Sequence, residues 1–149
     1  MAEHRNDEYR IPVRRQSAVI TLATGARLVD AVLFCEVGLE IEALLEGDQA
    51  FLPVGHDSRV RLIARRVVAV VTTAPRVDTD EERLMTRRLS VAVGLCSGEI
   101  LEGDLVFEPR PGGSRVLDVL NGAARTLQLR SSEAVHHVAK EHVEYVEER

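Results

Sequence analysis

Three histidines, His136, His137 and His142, fall within the seven residues "HHVAKEH", the densest group of metal-binding side chains in the chain. A shared ion needs its ligands on one face and a few ångströms apart. On a strand His136 and His142 share a face but stand about 20 Å apart, and His136 and His137 point to opposite faces. On a helix they are five and six residues apart, not the three or four that would stack two imidazoles. The His-Glu-x-x-His order of a zinc protease is also missing. The spacing predicts solvated strand histidines and no metal site.

Other reactive side chains are equally dispersed. Ser17, Ser90 and Ser97 lie outside any Gly-x-Ser-x-Gly turn, and no histidine is evidently placed as their base. "RPGGSR", from Arg110, has neither Walker spacing nor the Gly-x-Gly-x-x-Gly pattern and reads as a loop with a positive rim. Cys35 and Cys96 sit in apolar, strand-like surroundings without a second cysteine or histidine at ligand spacing, so buried free thiols are expected. Sequence alone leaves a disulfide between them open. The expectation is a non-enzyme without a cofactor.

Arginines are the remaining chemistry. "RIPVRR" spans Arg10 to Arg15, and Arg14-Arg15 recurs as Arg87-Arg88. Arg10, Arg14, Arg15, Arg87 and Arg88 are candidate ligand or partner contacts, because guanidinium pairs with phosphate and stacks on flat rings. Arg-x-x-x-Arg before a small β-barrel resembles the arginine motif of PilZ domains, which implies a cyclic-dinucleotide sensor. "LFCEVGLEI" departs from the family's Asp/Asn-x-Ser-x-x-Gly turn in lacking the acidic residue and the serine. The simpler reading is that each pair marks the start of a strand, its long stems covering apolar edges.

That recurrence extends along the chain. "RRQSAVITLATG" from Arg14 returns as "RRLSVAVGLCSG" from Arg87, matching Ser17 to Ser90, Leu22 to Leu95, Gly25 to Gly98, Leu28 to Leu101 and Phe34 to Phe107. Two residues further out of step, Leu45 meets Leu120, Gly47 meets Gly122, Leu52 meets Leu127, Val60 meets Val135 and Val68 meets Val143. The two extra residues fall near "PRPGGS", a lengthened loop. An ordered series of apolar residues and turn glycines with one insertion is a duplication. It divides the chain into an N-terminal extension 1–14, a first copy 15–73, a linker or connecting helix 74–87, and a second copy 88–149.

Each copy reads as β-β-(short α)-β-β-β. "SAVITLATG" and "ARLVDAVLF" form a hairpin around a turn glycine, as do their counterparts. "EIEALLEG" and "SRVLDVLNG" read as short helices, the second with Ser114 as cap and Asn121-Gly122 as stop, although Asn-Gly could also turn a hairpin. "VRLIARRVVAVV" and "AVHHVAKEHVEYV" are strand pairs joined by tight turns at "ARR" and "AKE". Short, curved sheets hide their edges by closing, so the fold class is mainly β, two tandem small β-barrels with one short helix each. The layout resembles Sm-like and SH3-like barrels. "RVLDVLNGAARTLQL" and "VHHVAKEHVEYV" also resemble a small prokaryotic domain family of unknown function, with an apolar-Asp-x-Leu-Asn turn. That resemblance implies a structural turn role for Asp118 and Asn121; the first copy has Ala43 and Glu46 there.

Composition narrows the partners. The net charge of −5 and 3% aromatic residues argue against broad nucleic-acid binding or single-strand stacking. An Sm-like RNA regulator would need Arg61, Arg65, Arg66, Arg87 and Arg88 to converge on one rim. "MAEHRNDEYR" is not a secretory signal, and no apolar run approaches the roughly 20 residues of a membrane helix. The expectation is a cytoplasmic adaptor or assembly module that binds a protein partner, with homodimerisation as the commonest symmetric outcome.

Overall fold

Val, Ile, Leu and Ala alternate with charged residues through the segments read as strands, and the chain forms strands there. The computed structural model describes residues 12–113 and 115–149; Arg10 and Ser114 lie outside them. β1 (Val13–Leu22) and β2 (Arg27–Glu36) form a hairpin, followed by α1 (Ile41–Glu46), β3 (Phe51–His56) and β4 (Arg59–Ala64). A single 3₁₀ turn over Arg65–Val67 leads into β5 (Val68–Thr73). The connecting segment contains α2 (Asp80–Met85), opened by Thr79 and Glu82 in a reciprocal capping box. The second copy repeats the series as β6 (Arg87–Leu95), β7 (Ile100–Phe107), α3 (Val116–Leu120), β8 (Thr126–Arg130), β9 (Val135–Ala139), a 3₁₀ turn over Lys140–His142, and β10 (Val143–Glu148).

The two copies share strand order and local detail. The first runs β5-β1-β2-β3-β4 and the second β10-β6-β7-β8-β9. Gly25 and Gly98 hold equivalent hairpin turns at φ +92° and +95°, a region where a side chain would be strained. Ala23 N–H donates to Val67 O at 2.7 Å, and Cys96 N–H to His142 O at 2.9 Å. Arg65 N–H reaches Ala50 O at 2.8 Å, and its counterpart Lys140 reaches Arg125 O at 2.9 Å.

The barrels do not close. All ten strands form a single antiparallel sheet in the order β10-β6-β7-β8-β9-β5-β1-β2-β3-β4. The reason is visible at β5. Closing the first copy would put β4 against the free edge of β5, but β9 of the second copy occupies that edge, Val70 opposite Val138 and Thr73 opposite Val135. The sheet still curls strongly. The tips of hairpins β1–β2 and β6–β7 meet through an Arg27–Glu99 ion pair. In a flat sheet β1 and β7 would stand about 19 Å apart at the usual strand spacing.

Two apolar cores result, and β5 belongs to both. Val68 and Val71 pack with Ile20, Leu33, Leu52 and Val54 in the first. Ala69 and Val70 pack with Val91, Val93, Leu127 and Val138 in the second. Among the apolar positions matched between the copies, Leu28, Leu52, Val68, Leu95 and Leu127 are buried, whereas Leu22, Phe34, Leu101, Phe107 and Val143 are only partly covered. Val143 differs from Val68 because β10 ends the sheet while β5 lies inside it. Cys35 is buried, but Cys96 is exposed in the turn after β6, and both thiols are free. Burial pushes the Cys35 thiol pKa up. Among the described residues no helix is long and apolar enough to cross a membrane.

Candidate interaction surface

Pairing of β5 with β9 makes the seam between the copies, and the histidines read as solvated are part of it. His136 and His137 alternate across β9, so they face opposite sides of the sheet. His137 is the inward one, at 3% exposure. His136 sits opposite Thr72, whose hydroxyl lies 2.8 Å from its Nδ1. His142 Nε2 lies 2.6 Å from the Arg66 carbonyl oxygen, tying one 3₁₀ turn to the other. Burial lowers the pKa of His137, partly opposed by the Glu42 charge, and burial likewise lowers that of His136. Among the described residues no cluster of three metal-ligating side chains occurs.

Helix α1 adds the second half of the seam. Glu42 and Glu46 are one helical turn apart and therefore share a face. That face meets β8. Glu46 accepts from the Arg125 backbone N–H at 2.8 Å, the Thr126 N–H at 2.9 Å and the Thr126 hydroxyl at 2.7 Å. Glu42 accepts from Gln128 Nε2 at 2.7 Å. Burial raises the Glu46 pKa, but these donors together outweigh it and hold the carboxyl below its ordinary range. A cavity of about 400 Å³ opens beside the seam, floored by Leu45, Leu52 and Val68 and rimmed by Arg65, Arg125 and Lys140. The rim cations are already engaged. Arg65 donates to Leu44 O and Leu45 O at 3.0 and 2.7 Å, Lys140 to Val119 O at 2.6 Å, and Arg125 to Gly47 O and Asp48 at 2.9 Å.

The candidate arginines do not converge. Arg14 and Arg15 point to opposite sides of β1. Arg14 donates to Gln16 at 2.8 Å and to Leu39 O at 3.0 Å, while the Arg15 guanidinium lies 6.0 Å from the Phe34 ring. Arg88 and Arg130 both pair with Asp78, whose side chain is only 4% exposed. Arg87 neighbours Arg88 on β6, and Arg61 lies on β4, with seven strands between them in the sheet order. Arg65 serves the C-terminal carbonyls of α1, the task Lys140 performs for α3. Asp118 Oδ2 accepts from the Arg115 backbone N–H at 3.2 Å at the start of α3, and Asn121 N–H donates to Leu117 O at its end.

Sequence reasoning passed over Asp78, Glu42, Glu46 and Arg125. Asp78 lies in a polar segment where nothing marks one carboxylate for burial. The i, i+4 spacing of the two glutamates was the available sign that one face of α1 has a polar partner.

The described sheet ends at β4 on one side and at β10 on the other. Among the described residues no strand pairs with the outer edge of β4 or of β10. β4 exposes Val60 at 61% and Leu62 at 71%, interleaved with Arg59 and Arg61, and β10 exposes Tyr145 at 44% among Glu144, Glu147 and Glu148. Comparison with protein-family models, with curated proteins and with solved structures finds no match.

Proposed function

We propose that this chain is a non-enzymatic assembly module that recognises protein by strand addition at the ends of its sheet. The observation that carries this reading is β4, a six-residue end strand with two large apolar side chains more than half exposed. An unpaired edge offers a row of backbone donors and acceptors to another strand, and proteins usually blunt such edges when they are not used. Arginines at 59 and 61 keep the strand soluble while leaving its backbone accessible. In strand addition the backbone supplies affinity and the alternating side chains supply selectivity.

The seam supports the same reading from inside the molecule. There the chain uses strand pairing, reinforced by side chains from a neighbouring helix, to join two folded copies. The test is co-purification from the native host with the wild-type chain and with Leu62→Asp. Protein retained by the wild type should be lost from the variant, with the melting temperature unchanged. Equal retention by both would remove the edge from the account. So would a cyclic dinucleotide or RNA that raises the melting temperature.

A further inference from the structure

The internal seam is heterologous: β5 of the first copy meets β9, the fourth strand of the second. Making it leaves the fourth strand of the first copy, β4, and the fifth strand of the second, β10, as the ends of the sheet. These are the same two strand types again. We infer that β4 of one molecule pairs with β10 of another, repeating the seam head to tail between molecules. This rests on the edge-recognition reading and names the partner as a second copy of the chain.

The internal register supplies the external one. Moving each residue by the 75-residue repeat turns the Thr72–His136 pair, which carries a side-chain hydrogen bond inside, into Glu147–Arg61. Val71–His137 becomes Val146–Leu62, and Val70–Val138 becomes Tyr145–Ile63. Opposite charges thus fall directly across from one another, a stabilising cross-strand arrangement. Leu62, 71% exposed in the single molecule, would take the place that His137 fills at 3%. The helix contact transfers as well. Leu117 and Pro53 take the places of Glu42 and Gln128, and Phe51 that of Thr126. Leu117 and Phe51 are 56% and 54% exposed. A polar contact inside the molecule becomes an apolar one outside it, which is what an interface covered by a partner requires.

Charge favours this pairing over the symmetric ones. A centred antiparallel match of β10 with itself sets Glu144 against Glu147, while one of β4 with itself sets Arg61 against Leu62 and makes no opposite-charge pair. Like charges across a strand pair are destabilising. Because each molecule keeps one β4 and one β10 edge, the contact repeats until rotation closes a ring or continues as a filament.

The experiment uses the full chain in three forms: wild type, Arg61→Glu and Glu147→Arg, each sized by light scattering. The wild type should assemble. Each variant alone should associate about tenfold or more weakly, since like charges then face each other. An equimolar mixture should recover assembly, because the glutamate introduced on one chain meets the arginine introduced on the other. Variants that assemble as the wild type does, or a mixture that fails to recover, would overturn the proposed register. A wild-type monomer that nonetheless retains a foreign protein through Leu62 would overturn self-assembly while leaving edge recognition standing. A monomer that retains none would overturn both.

Discussion

Leu127 lies 2% exposed on β8, opposite Val138, and Leu52 holds the equivalent place in the first core at 1%. Removing most of such a side chain leaves a cavity that the packed sheet closes only in part. Leu127→Ala should therefore destabilise the chain by about 2–5 kcal/mol in denaturant unfolding. A loss below about 1 kcal/mol would mean that the site collapses or is not core. Leucines of this kind were legible in the sequence because alternation marks one face and the duplication marks it twice. Cys96 and His137 were not legible, for opposite reasons. Cys96 looks like part of a strand, but its N–H already closes onto His142 O and the residue turns outward. His137 looks like a solvated residue because nothing local says that another copy will cover its face. Alternation reports which residues share a side, not what lies against it.

Helix α1 and strand β9 join the copies, and their titratable groups give the seam a pH dependence with two windows. His137 and His136 have folded pKa values below the ordinary 6.5. As pH falls below about 6.5 the unfolded chain takes up protons that the folded chain resists, so stability declines from there downward. Glu46 is held below its ordinary 4.5, so its contribution is full above that value and is lost as pH falls through the lowered one. The melting temperature should drop between pH 7 and 5, and again toward pH 4 and below. Glu46→Gln should flatten the second decline and leave the first in place. A melting temperature constant from pH 7 to 5 would contradict the burial of the histidines. The elements themselves were readable, down to the tight turns at Arg65 and Lys140, since β-branched runs and turn glycines are local signals. Barrel closure was not, because which strand takes the edge of β5 depends on residues about 65 positions away.

At the scale of the molecule the duplication has produced one sheet with two cores and a strand shared between them. The first copy alone, residues 15–73, would expose Ala69 and Val70, which belong to the second core, together with the edge of β5. A lone module of about 60 residues has a marginal core to begin with. The isolated copy should therefore show broad, poorly dispersed amide resonances; a well-dispersed spectrum would mean that the seam is dispensable. In the proposed assembly the ends of the sheet are where chains meet. β4 and β10 carry opposite charge, exposed apolar residues and the strand types already joined once within the chain. Sedimentation velocity over a concentration series tests this most directly. The weight-average mass should rise above the 16.5 kDa of one chain as concentration increases, and Glu147→Arg should suppress the rise. A mass that stays at one chain throughout, or an assembly that Glu147→Arg leaves undiminished, would contradict the account.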